Sequence, residues 1–244
     1  MNPPYLTTVW IAHLLAAYLI LVAPWLSRIA YRKAQRDLQN DPRAKARLFR
    51  RVVAKQIVLI AIILGLWLFG GIRGEWLGIR APHSWPLTGG LTAVILVAFA
   101  WSAIRMRPKA TQFREKLKNR VGLMLPATPD ELRWFAIMAT CGGIAEELLC
   151  RGFLFYYFRL YIPHINDLEL ALLTALFFGL AHFYQGKWGV LGTGVAGAIL
   201  AALYVGTGSL LLPAITHITG NLRAVVVFWP GEAPAELAPG TGTA

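Results

Sequence analysis

The chain has 244 residues and a formal net charge of +12, and it is 57% hydrophobic but only 15% charged. Soluble domains carry roughly 25% charged residues, so the composition excludes an ordinary water-soluble fold and fits one integral-membrane unit. Uncharged stretches recur at about the 20-residue length that a helix needs to cross a ~30 Å hydrocarbon core.

Residues 5–27 contain no Lys, Arg, Asp or Glu and form the first predicted span. No basic segment precedes this run and it is full length, so it reads as a retained span and not a cleavable signal. Residues 28–55 then hold ten basic and two acidic side chains, and residues 105–120 hold seven and one. Such runs could be read as nucleic-acid patches. Lying between spans, they fit cytoplasmic loops better, by the positive-inside rule. The expected partners are the lipid bilayer and its anionic headgroups, with no nucleic acid. The expected location is the plasma (inner) membrane, with the N-terminus outside.

The second span is predicted at residues 53–71. The Gly-, Pro- and Trp-containing stretch "IRGEWLGIRAPHSWP" follows it at the outer interface. The third span is predicted at 87–104, followed by a basic surface helix over 107–121. Thr128 reads as an N-cap, with Pro129 at the first helical position and Asp130 and Glu131 complementing the dipole. The fourth span is then 132–158, the fifth 168–185, the sixth 188–205 and the seventh 209–228. Residues 188–222 carry no charge, and as one helix they would run about 50 Å, so the chain is expected to break at Gly206-Thr207-Gly208-Ser209. No segment reads as a strand. The expected fold class is all-α, a polytopic membrane helix bundle of about seven transmembrane helices. It forms one domain over 1–228 with a disordered tail at 229–244. Cys141 and Cys150 lie about 13.5 Å apart on one helix, too far for a disulfide, and read as free packing residues.

The fourth span is the unusual one. It carries "GGIAEELLCRGFLF", with Glu146, Glu147 and Arg151 among apolar residues. Charges at mid-helix cost roughly 3 kcal/mol each, so the three together cost on the order of 9. The nine Leu, Ile and Phe residues from Trp134 to Phe158 return only about 3–5 kcal/mol. The helix therefore needs partners or water, and charges kept at such depth are a functional-site hypothesis. Glu147 and Arg151 stand four apart with the acid first, the favourable order for an ion pair. Glu146 lies about 100° around the helix, which leaves it as the free carboxylate. A buried salt network without chemistry is the competing reading.

The fifth span carries Phe178-Gly-Leu-Ala-His182 and the seventh His217-Ile-Thr-Gly-Asn221. Each alone could be polar glue between helices. Together with Glu146 they make a set suited to amide hydrolysis: Glu and His can activate water, and His and Asn can stabilise an oxyanion. Glu146, His182 and His217 also match a His₂Glu zinc set, but the H-E-x-x-H spacing is absent. A non-catalytic immunity or scaffold protein and a proton-coupled transporter remain alternatives for the same polar cluster. His13 reads as packing, and His83 and His164 as solvated loop residues.

The three motifs, in this order on separate apolar segments, resemble the CPBP (Abi, or CAAX-protease) family of intramembrane proteases, which includes the type II CAAX prenyl endopeptidases. The likeness covers about 132–228. It implies an eight-helix fold, against the seven spans counted here, and an endopeptidase activity on a peptide or protein substrate. It implies that Glu146 and His182 activate the attacking water. Glu147 and Arg151 would orient the site, and His217 and Asn221 would stabilise the oxyanion. The metal-free glutamate scheme is preferred, with zinc as the alternative cofactor. His182 is expected near the cytoplasmic end of its span, whereas Glu146 lies about 21 Å beyond Leu132. The first turns of the fourth span are therefore expected in the interface, and Gly142-Gly143 would allow close packing or a bend.

Overall fold

The computed structural model describes residues 6–229, and among these it contains helices and no strand. Helix α1 (Leu6–Ala17) continues through a π-helical turn (Tyr18–Val22) into α2 (Ala23–Asp37). Pro24 sits at the start of α2. Proline lacks the N–H for a regular bond and its ring crowds the preceding turn, which explains why the helix widens there. Then follow α3 (Ala44–Leu68), α4 (Trp85–Met106) and α5 (Ala110–Val121), a short basic helix after a 3₁₀ turn at Arg107–Lys109. Next, α6 (Pro129–Glu147) passes through a second π-helical stretch (Leu148–Leu154) into α7 (Phe155–Tyr161). The chain closes with α8 (Asp167–Ala181), α9 (Gly186–Thr207) and α10 (Leu211–Val227).

Seven long helical runs thus occupy the seven expected positions, with shifted boundaries. The basic segment after the first span is mostly helical: α2 carries straight on to Asp37, and α3 already starts at Ala44. The α8 helix stops at Ala181 rather than running to residue 185. The proposed disordered tail, apart from Trp229, lies outside the described residues.

Four runs are long and apolar enough to cross a membrane by length and composition: Thr8–Asp37, Ala44–Leu68, Trp85–Lys116 and Phe183–Thr207; α10 is a shorter apolar helix. The α6–α7 run carries charges, and α8, at 15 residues, is only about 22 Å long. These two polar or short helices are sheltered by the others. From Ala145 to Phe158 no residue is exposed and ten are buried, including Glu147 and Arg151. On α8, Leu168, Leu172 and Leu176 face outward while Leu170, Ala171, Thr174, Ala175 and Phe178 are buried. By contrast α4 buries only Thr88 and Ala103 and exposes Val94, Val97, Trp101 and Ile104, as expected of a peripheral, lipid-facing helix.

Close approach depends on small residues, as in other membrane bundles. A Cβ built on Gly143 of α6 would stand 3.1 Å from the backbone nitrogen and 3.2 Å from the Cα of Ile218 on α10. One on Gly179 of α8 would stand 2.7 Å from the carbonyl oxygen of Val190 on α9. These contacts set the spacing of α6 against α10 and of α8 against α9.

At the basic end, α3 and α6 are tied together by charge. Lys45 Nζ donates to Glu131 (3.0 Å) and to the carbonyl of Leu125 (3.1 Å), and the Ala127 amide donates to the same Glu131 oxygen at 2.7 Å. Both side chains of this pair are more than nine-tenths buried. One turn away, Arg50 pairs with Asp130 (3.7 Å) and covers the Trp134 ring. The start of α6 thus belongs with the basic turns of α3. Thr128 accepts from the Glu131 amide as an N-cap at 3.3 Å.

At the opposite end, the loop after α3 docks on the α9–α10 turn. The His83 amide donates to Thr207 and Leu210's to Gly78, while Arg80 Nε donates to the Gly208 carbonyl. His13 is bonded to the Tyr157 hydroxyl at 2.7 Å and packs against Trp10 and Tyr161, so it has a polar partner from a distant helix.

If the α6–α10 contact sets the bundle's width, Gly143→Val should destabilise it by about 1–3 kcal/mol through overpacking. A Cβ on Gly89 of α4 meets nothing within 4 Å, so Gly89→Ala should leave stability unchanged or raised by up to ~1 kcal/mol. Thermal unfolding of the two variants in detergent checks this contrast.

Candidate active site

The widened stretch Leu148–Leu154 begins directly after Glu146-Glu147 and contains Arg151. Single π-helical turns inside α-helices occur often at functional sites. Here the turn sits where a guanidinium must be accommodated in an apolar core. Arg151 is 0% exposed. Its Nη1 donates to Glu147 Oε1 at 2.9 Å, and its Nη2 donates to the backbone carbonyl of Gly197 on α9 at 2.6 Å. The absence of a side chain at Gly197 leaves that carbonyl approachable; a Cβ there would meet Phe178 and Ala175 at 3.1–3.3 Å.

Glu147 is shared. The same oxygen that takes Arg151 also accepts from His217 Nδ1 at 2.7 Å. One carboxylate therefore joins α6, the widened turn and α10. It also fixes the His217 tautomer, with Nδ1 protonated and Nε2 turned the other way. His182 is held by a different device. It is the C-cap of α8, not an interior residue, and its Nδ1 donates to the Phe178 carbonyl at 2.8 Å. That bond satisfies one of the helix's terminal carbonyls and again frees Nε2.

Both free nitrogens face Glu146. Its Oε2 lies 3.9 Å from His182 Nε2 and 3.7 Å from His217 Nε2. The atom is buried without a hydrogen-bond partner among the described residues, although the Glu146 side chain as a whole is 31% exposed. Groups 3.7–3.9 Å apart are too far for a direct hydrogen bond. They can, however, be bridged by one small polar molecule bonded to each.

Phe178 forms the apolar wall. Its ring lies 4.9 Å from the Arg151 guanidinium carbon, 4.9 Å from the His182 ring and 5.7 Å from the His217 ring. The first residue of the F-x-x-x-H motif is thus as central as the last. Asn221 lies on α10 one turn beyond His217, half-buried, and its side chain makes no hydrogen bond among the described residues. Five of the six expected site residues are therefore joined by direct contacts or face one another within 4 Å. Asn221 shares their helix face without touching them.

Two neighbours escaped the motif reading. Lys55 on α3 lies in the electrostatic field of Glu146, and Gln56 is buried beside Gly142. Gln56 opens an otherwise uncharged apolar run, and an amide in that setting was the available signal. Among the described residues, no three His, Cys, Asp or Glu side chains are grouped closely enough to hold a metal ion.

A helical bundle that keeps two carboxylates, a guanidinium and two imidazoles around one point between apolar helices is an integral membrane protein with a polar centre. Residues 128–223 match the family described as type II CAAX prenyl endopeptidase Rce1-like. That part of the chain, which contains Glu146, Glu147, Arg151, His182, His217 and Asn221, is similar to the CAAX-protease family. No curated protein and no solved structure is matched by the chain.

Removing Glu147 would leave Arg151 and His217 without their common acceptor. Truncating one partner of a buried ion pair costs about 3–5 kcal/mol. Glu147→Ala should therefore lower the unfolding temperature in detergent clearly, and Glu147→Gln, which keeps one acceptor oxygen, should lower it less. An unchanged unfolding temperature in Glu147→Ala would contradict the structural role.

Proposed function

We propose that this protein is an intramembrane endopeptidase in which Glu146 and His182 activate a water molecule for attack on a peptide carbonyl. The observation that carries the reading is the convergence of the Glu146 carboxylate with two imidazole Nε2 atoms from separate helices. The family match of the same segment supports it.

The hydrogen bonds behind each ring divide the labour. His182 leans on a neutral carbonyl, so its Nε2 keeps a lone pair that can accept a proton. His217 leans on a carboxylate, which can balance a positive charge, so it can carry protons on both nitrogens and donate from Nε2. In this scheme water bonds to Glu146 and His182 and attacks the carbonyl carbon as its proton passes to Glu146. His217 Nε2–H and the Asn221 amide donate to the developing oxyanion. The C–N bond then breaks as the leaving amine takes the proton from Glu146. Glu147 and Arg151 hold the frame. Of the available donors, Glu146, His182 and His217 would be those of a zinc centre, but they are not grouped as a metal cluster.

His182 caps α8 beside the 3₁₀ turn Phe183–Gln185, whose Phe183 packs against Trp25 and Arg28 of α2. The site therefore lies toward the basic end. With that end in the cytoplasm, by the positive-inside rule, a substrate would enter from the cytoplasmic side of the plasma membrane. The basic turns would then rest on anionic headgroups. A prenylated CAAX-type peptide is the substrate class favoured by the family description.

Purified protein in liposomes should cleave a quenched fluorescent prenyl-CAAX peptide, and Glu146→Gln should lose at least ~100-fold in kcat while staying folded. Absence of cleavage by the wild-type protein would overturn the CAAX-type assignment, and cleavage by Glu146→Gln would overturn the catalytic one. Chelator-treated protein should remain active with no stoichiometric zinc by elemental analysis. One tightly held zinc per chain, required for turnover, would replace the metal-free scheme.

A further inference from the structure

The catalytic carboxylate has a neighbour that none of the three motifs contains. Gln56 of α3 is 6% exposed, and its Oε1 is buried with no hydrogen-bond partner among the described residues. A buried amide oxygen left unpaired is costly, and such a group in a folded protein calls for an explanation. Its location supplies one. A Cβ built on Gly142 would stand 2.8 Å from Gln56 Nε2 and 3.7 Å from Glu146 Oε1. The amide thus fills the space that glycine leaves on α6, one helical turn before Glu146 and on the same face.

We propose that Gln56 is a positioning residue for Glu146 that serves both of its protonation states. The proposal rests on the catalytic reading of Glu146. A carboxylate accepts only, and a carboxylic acid also donates. An amide offers both complements: Nε2–H donates to the charged form, and Oε1 accepts from the O–H of the protonated form. The two side chains flank the same Gly142 position without a hydrogen bond between them; while Glu146 is a carboxylate awaiting water, rotation of the Gln56 amide would bring Nε2–H to it. Once Glu146 has taken the water's proton, the acid O–H can turn to Oε1, the acceptor left unpaired in the resting arrangement, until the leaving amine collects the proton. The proton count at Glu146 is unchanged by this exchange, because Gln56 only accepts and donates hydrogen bonds. No apolar residue at position 56 can do this, and a carboxylate there could not donate.

Two variants separate this role from packing. Gln56→Met keeps length and volume but loses both polar atoms. Gly142→Ala keeps the amide but displaces it, and alanine is the better helix former, so this variant is expected to fold. On the prenyl-CAAX probe peptide, each should lower kcat on the order of 10- to 100-fold through a misplaced base, with KM within about twofold of wild type. The double variant should be no slower than Gln56→Met alone, since displacing an amide matters only if the amide is there. Wild-type kcat in Gln56→Met would overturn the proposal. So would a raised KM at unchanged kcat, which would make Gln56 a substrate contact, or a Gly142→Ala loss that persists at full size on top of Gln56→Met. If Gln56→Met does not fold, normal kcat in Gly142→Ala is itself sufficient to reject it. Inactive Glu146→Gln with a normal Gln56→Met would sink this inference alone, whereas active Glu146→Gln would sink the catalytic reading beneath it.

Discussion

One carboxylate oxygen does most of the organising in this bundle. Glu147 Oε1 receives a guanidinium from the turn that follows it and an imidazole from α10. In a medium that offers no water, neither cation nor ring nitrogen could be buried without such an acceptor. The carboxylate in turn could not be buried without them. The same mutual need draws in α9, whose Gly197 carbonyl takes the second arm of Arg151. Three helices are thus held in register by groups that have nowhere else to go, and Glu146, next in sequence, is left pointing into the space between.

The bundle also separates two kinds of polar work. At the basic end, Lys45 and Glu131 form a saturated unit in which every contact is internal and close. Around Glu146 the spacing is looser: two ring nitrogens stand off at 3.7 and 3.9 Å, and an amide oxygen faces no donor. The first arrangement suits stability. The second leaves hydrogen-bonding capacity unspent at one point, the condition for holding a molecule that is consumed and replaced.

Much of this was readable from spacing. Charge-free runs located six of the helical segments, and the charged apolar stretch around Glu146 located the seventh. The four-residue interval from Glu147 to Arg151 put acid and base on one face, where the structure has them at 2.9 Å. The break at Gly206–Ser209 is where α9 ends and α10 begins. What spacing could not carry was geometry created by other helices. The widened turn at Leu148–Leu154 has no sequence signature, because its stabilisation comes from the Gly197 and Glu147 acceptors that surround Arg151. His182 reads as a helical residue by period, yet the chain leaves the helix there and its ring bonds the last turn. Gln56 sits on α3, 90 residues before Glu146, and only the small cross-section of Gly142 brings it to the site. Boundaries moved for a similar reason: the basic turns of α3 are helical because they pair with the start of α6, a contact invisible along the chain.

The π-helical stretch has a further implication. A wide turn holds one more residue than a regular one, so everything from Phe155 to Tyr161 is rotated relative to where an uninterrupted α-helix would carry it. Aromatic residues on that segment, such as Tyr156 stacked on Trp76 and Phe155 against Tyr204, are aligned to the rotated frame. A shorter relative lacking one residue here would need to rebuild that whole aromatic layer. Length within this helix is therefore under tighter constraint than identity, and the polar centre and the far end of the bundle have to change together or not at all.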